Sequence, residues 1–131
     1  MKLLDVIMGE PEKKEFPYGN QKIVIRTLKQ SELNEIMMRI PRIDATMLEL
    51  EKIPTLARSM VSVNGMPIEM FEEVRELTEG SEKENTYSAI EKIMSKWDTN
   101  TIGLLYGLYQ DFRLECYKKK EELKNNSQTS N

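Results

Sequence analysis

The chain has 131 residues, 39% hydrophobic and 31% charged, which is enough apolar material for one buried core beneath a strongly polar surface. Its 19 Lys and Arg against 22 Asp and Glu leave a net charge of −3, which points to neither a nucleic-acid nor an anionic-membrane partner. There is no His, and the single Cys116 supplies too few thiolates for a zinc or iron–sulfur centre, so hydrolytic triads and zinc hydrolases are set aside and a reducing, intracellular setting fits.

The opening MKLLDVIMGE meets Asp5 and Gly9 before a signal-peptide core or a spanning helix can form, so neither export by that route nor a membrane anchor is expected. Phe16-Pro17-Tyr18-Gly19-Asn20 is a turn-rich segment, and Lys22-Ile23-Val24-Ile25-Arg26 is a β-branched run, which together predict a strand after a turn. Pro11 and Pro17 limit regular pairing, so a two- or three-stranded element is expected, with Leu3 to Met8 as a further contributor.

From Ser31 the period becomes helical. Leu33, Ile36, Met37 and Ile40 share a face, Ser31 serves as N-cap and Pro41 ends the run. A second helix begins near Asp44 and places Met47, Leu50, Ala57, Met60 and Val61 inward, with Pro54 kinking or dividing it. Asn64-Gly65 then favours positive φ at both turn positions, predicting a tight reversal that adds a brief hairpin to the N-terminal strands. Met70, Phe71, Val74 and Leu77 mark a third helix ending at Gly80, and Ser81 with Glu84 has the spacing of a capping box. Tyr87, Ile90, Ile93, Met94 and Trp97 form the buried stripe of a fourth helix. Asp98 or Thr99 caps a fifth that carries Ile102, Leu105, Tyr106, Tyr109, Phe112 and Cys116 and runs through Leu123.

The expected class is therefore α+β, mainly α: a small N-terminal β element over residues 1–30, then a compact bundle of about five helices over residues 31–124, all one domain. Residues 125–131 contain only Asn, Ser, Gln and Thr and are predicted to form a disordered tail. Residues 31–116 hold 9 Lys and Arg against 16 Asp and Glu, a net −7, so an acidic body stands between two mildly basic ends.

Few groups suggest chemistry. Glu69, Glu72, Glu73, Glu76 and Glu79 form the densest carboxylate cluster, and a metal hydrolase built on Glu72, Glu73 and Glu76 is the enzymatic alternative. Their helical spacing instead makes them the solvated face opposite Phe71, Val74 and Leu77. Gly103 and Gly107 are spaced for a close helix crossing in the core or for a self-association seam. Lys118-Lys119-Lys120 beside Tyr117 is a small basic patch, read as the solubilising end of a helix rather than a nucleic-acid site. Cys116 is read as a buried small hydrophobe.

The unusual compositional signal is 9 Met. Met37, Met38, Met47, Met60, Met66, Met70 and Met94 lie on or beside apolar stripes; most fill the core, and any surplus forms an adaptable interface suited to amphipathic helices, with an acidic body suited to basic segments. The expected partner-binding residues are Met37, Met38, Met66, Met70, Tyr106 and Tyr109, with no catalytic residue, no cofactor and no metal.

The order Tyr18-Gly19-Asn20, then Ile23-Val24-Ile25-Arg26-Thr27-Leu28-Lys29-Gln30-Ser31-Glu32-Leu33, then Ser59-Met60-Val61-Ser62-Val63-Asn64-Gly65-Met66-Pro67-Ile68 resembles small tail assembly chaperones and baseplate-hub assembly proteins of long-tailed bacteriophages. The likeness covers the layout of residues 18–112. It implies a noncatalytic role in which the chain binds a tail component, typically the tape-measure protein or a baseplate or tube subunit, in the host cytoplasm. A structural subunit of the tail or baseplate, present in the virion, is the alternative, with self-association into a homo-oligomer compatible with both. A nucleic-acid-binding regulator is a more distant one, because no helix carries the base-reading Arg, Asn and Gln side chains it needs. Arg26, Asn64, Gly65 and Pro67 are fold markers in this resemblance.

Overall fold

The computed structural model describes residues 2, 9–40, 47–79 and 85–129. It is an α+β fold, mainly α, in which a four-stranded antiparallel sheet of order β1-β2-β3-β4 packs with five helices. Strands β1 (Lys13–Tyr18) and β2 (Gln21–Arg26) form a hairpin. Phe16 stands opposite Ile23, so both side chains share the core face. Pro17, which has no N–H to give a neighbour, sits on the outer strand where none is needed.

Helix α1 (Gln30–Arg39) buries Ile36, and Ile40 after it is extended. Its N-cap is Lys29 rather than Ser31: the helix begins two residues earlier because the Glu32 carboxylate turns back to accept the Lys29 N–H at 2.9 Å.

Helix α2 (Met47–Ser59) runs unbroken through Pro54. Proline leaves the carbonyl of Leu50 without its usual donor, and Leu50, expected inward, is on the exposed side of the helix. The last turn, by contrast, is buried all round, from Thr55 to Ser59, because α1, α4 and α5 pack about it.

The helix expected to reach Val61 ends at Ser59, and Met60 and Val61 open strand β3 (Met60–Val63). Pairing with β2 overrides the helical period here: Ile23 lies opposite Val63 and Ile25 opposite Met60, with a bulge between Val24 and Ile25. Asn64 (φ 51°) and Gly65 (φ 82°) then form the tight turn read from the sequence and lead into β4 (Met66–Pro67). Asn64 also anchors the turn to β2, accepting the Lys22 N–H on Oδ1 at 2.9 Å and donating its own N–H to the Lys22 carbonyl at 2.8 Å. Half the strands of the sheet thus come from within the segment assigned to the helical body.

A 3₁₀ turn (Ile68–Met70) leads to α3 (Glu72–Thr78) and then α4 (Thr86–Met94). Asn85 caps α4, its Oδ1 accepting the Tyr87 N–H at 2.8 Å. The expected Gly80 stop and the Ser81–Glu84 capping box lie outside the described residues, as do Leu3 to Met8, the Asp44 helix start and the side chain of Met47.

Helix α5 (Thr99–Thr129) buries Ile102, Leu105, Tyr109, Phe112 and Cys116, and Phe112 meets Phe16 edge-on at 5.9 Å between ring centroids. It continues to Thr129, so residues 125–129, expected in a disordered tail, are helical; extending an existing helix adds one bond per residue ordered and needs no new nucleus. Lys118, Lys119 and Lys120 accordingly lie well inside the helix and not in its final turns. Every residue from Tyr117 through Asn125 is exposed. A Cβ added at Gly103 or Gly107 meets no atom within 4 Å, so these glycines make no close crossing in the protomer.

Candidate functional site

The β3–β4 hairpin and the 3₁₀ turn display the two methionines that the sequence left beside an apolar stripe. Ile68 is buried and anchors the turn, so Met66 before it and Met70 after it are thrown outward, 48% and 53% exposed. Both line one surface hollow with Glu72, Arg75, Glu76 and Glu79 of α3. Arg75 is committed to Glu79 one helical turn along, at 3.0 Å, and that carboxylate raises its pKa further. The hollow is therefore apolar at its methionine end and negatively charged along the helix.

A second surface feature is built around Trp97, the chain's single tryptophan, in the turn between α4 and α5. The sequence period placed it on a buried stripe, but α4 stops at Met94 and Trp97 is 37% exposed. Its N–H donates to the Met94 carbonyl at 3.0 Å. The next residue, Asp98, opens α5 by accepting the Asn100 N–H on Oδ2 at 2.9 Å. Helix end and helix start together hold the indole in place between two depressions. One, of about 120 Å³, is walled by Phe71, Val74, Ile90 and Ile93, with Glu73 at its edge. The other, of about 440 Å³, is walled by Tyr18, Ile23, Met60 and Leu105, with Asp98 at its edge. Val63 borders both, so they form one trough with Trp97 as its ridge.

Of the six side chains expected to bind a partner, Met66 and Met70 come together on this surface. Met38 is 87% exposed on α1, apart from the hollow and the trough, and Met37 beside it is half-buried. Tyr109 belongs to the core and cannot touch a partner; the face of α5 it shares with Leu105 and Phe112 is the one turned inward. Tyr106 is half-buried, its hydroxyl accepting from Gln110 at 2.7 Å and reaching Glu51 at 3.5 Å. Burial pushes the phenols of Tyr106 and Tyr109 above their ordinary pKa, and the Glu51 carboxylate adds to the effect at Tyr106. Trp97, Phe71 and Val63 were missed as surface groups. The signal that places Trp97 outside the helix is the Asp98-Thr99 cap immediately after it.

The buried charges belong to the scaffold. Arg58 is 1% exposed and donates to the Pro54 carbonyl at 2.9 Å and to Glu35 at 3.0 Å, with its guanidinium 4.8 Å from the centroid of the Tyr87 ring. Arg39 forms a two-pronged pair with Glu91 at 3.1 and 3.2 Å. Cys116 is buried, and burial, with Glu12 beside it, pushes its thiol up to about 11. Glu69, Glu72, Glu73, Glu76 and Glu79 are all exposed, as a solvated face requires. Among the described residues, no group of three or more Cys, Asp or Glu is placed to hold a metal ion, and no helix is long and apolar enough to cross a membrane.

Comparison with protein-family models, with curated proteins and with solved structures finds no match to this chain.

Proposed function

We propose that the protein is a noncatalytic bacteriophage tail morphogenesis protein, an assembly chaperone that binds a tail component such as the tape-measure protein in the host cytoplasm. The observation that carries the binding role is the trough: Trp97 is exposed and Phe71 and Val63 partly so along two apolar depressions, while Met66 and Met70 stand exposed on the β3–β4 hairpin and the 3₁₀ turn. The smaller depression, of about 120 Å³, has the size of a side chain. The tail assignment draws its support from the resemblance in the layout of residues 18–112, in which Arg26, Asn64, Gly65 and Pro67 are fold markers.

Co-expression with the tail proteins of a long-tailed phage, followed by pull-down and by mass spectrometry of purified particles, tests this reading. A chaperone captures its client before assembly and is absent from finished particles. Recovery from particles at a symmetric copy number makes it a structural subunit instead, and failure to capture any tail protein refutes the tail assignment.

A further inference from the structure

Taking the protein-binding reading as given, we infer that the trough at Trp97 docks a basic amphipathic helix of a partner polypeptide, one large apolar side chain entering between Phe71, Ile93 and Trp97 while Lys and Arg on its flank face Glu73 and Asp98. Two observations define that occupant. The first is charge: the charged side chains that line the trough are Glu73 and Asp98, one at each depression, and no Lys or Arg lines it. The second is shape. An added strand would need the sheet edge beside the hollow, and that edge is β4, two residues long and ending in Pro67, which has no N–H to donate. Depressions on either side of an indole ridge instead suit apolar side chains spaced one turn apart on a helix.

Because Trp97 is the chain's single tryptophan, it reports on its own site. The full chain is titrated with a synthetic Leu/Lys amphipathic helix of about 18 residues, five turns. The comparison probes are a peptide of the same composition scrambled to lose its apolar face and a Leu/Glu counterpart. The expected result is a blue-shifted Trp97 emission that saturates with the Leu/Lys helix alone. Affinity should fall roughly tenfold in the Glu73→Gln/Asp98→Asn variant and again on raising NaCl from about 50 to 500 mM. Both positions are exposed, so circular dichroism should show an unchanged fold; Glu12→Gln/Glu115→Gln, remote from the trough, should bind as the parent chain does. Equal binding of the scrambled peptide, or an unmoved Trp97, overturns the proposal. So does an emission shift that follows protein concentration without peptide, which would make a second copy the occupant. A chain that binds the peptide but captures no tail protein loses the tail assignment and keeps this site; one that captures its client but ignores the peptide keeps the assignment and loses the site.

Discussion

Arg26 and Glu32 close on each other with two parallel hydrogen bonds, Nη1 to Oε1 at 2.7 Å and Nη2 to Oε2 at 2.6 Å, tying the end of β2 to the first turn of α1. The same carboxylate accepts the Lys29 N–H and, at 3.3 Å, the Tyr87 hydroxyl, so α4 joins the cluster. The pair lies mostly out of solvent, with side chains 16% and 12% exposed, which separates it from surface pairs such as Arg75–Glu79.

Glu32→Gln is expected to destabilise the chain by about 2 kcal/mol, and Arg26→Met by a similar amount, because each leaves a partly buried partner with unmet hydrogen bonds. The double variant should lose less than the two single losses combined, with a coupling of about 1–2 kcal/mol in urea unfolding. Strict additivity would show that the two side chains do not interact.

Acid should expose the same pair. Burial on its own would raise the Glu32 carboxyl, but Arg26, the Lys29 N–H and the Tyr87 hydroxyl outweigh it and hold the group below its ordinary value of 4.5. Its contribution to stability is therefore complete at neutral pH, begins to fall near pH 4.5 and is gone once the pH drops below the folded-state value. Urea midpoints measured from neutrality down to about pH 3 should drop less steeply for Glu32→Gln than for the parent chain.

Two glycine substitutions should move stability in opposite directions. Gly65 sits at φ 82°, so Gly65→Ala places a side chain in a left-handed conformation at a cost of roughly 1–2 kcal/mol. Gly103 is helical with nothing within 4 Å of an added Cβ, so Gly103→Ala should gain up to about 1 kcal/mol. Thermal melts of the two variants decide this. A destabilised Gly103→Ala whose melting depends on protein concentration would place a neighbouring copy against α5.

Cys116 should be inert in the folded chain. With the thiol at about 11 against an ordinary 9.0, its thiolate fraction at mildly alkaline pH is lower by roughly a hundredfold, and burial blocks access as well. A chromogenic disulfide reagent should react only at the rate of unfolding, with a full burst after addition of urea.

Features whose cause is local were legible in the sequence. Asn64-Gly65 names its own turn because both residue types tolerate positive φ, and Val74 with Leu77 names a helix face by spacing alone. Errors fell where a distant partner decides. Met60 and Val61 fit the end of a helix by period, yet β2, far off in the chain, draws them into a sheet. Trp97 continues the count from Ile90 and Ile93, and that count has no meaning once α4 has stopped. Tyr106 and Tyr109 look alike at a spacing of three, and only the packing of α5 puts one in the core and leaves the other half outside. The trough itself was illegible, since its walls come from β1, β2, β3, α3, α4 and α5 at once.

The bulged pairing of β2 with β3 has a kinetic consequence. Ile23 must wait about forty residues for Val63, so the β1–β2 hairpin has no third strand until α1 and α2 have been synthesised. A lone two-stranded ribbon is marginal in water, and α2 closes its last turn among residues of α4 and α5 that arrive later still. The nascent chain therefore reaches no stable intermediate from its N-terminal half, and chains shortened before α5 should be degraded rather than accumulate as a smaller folded product.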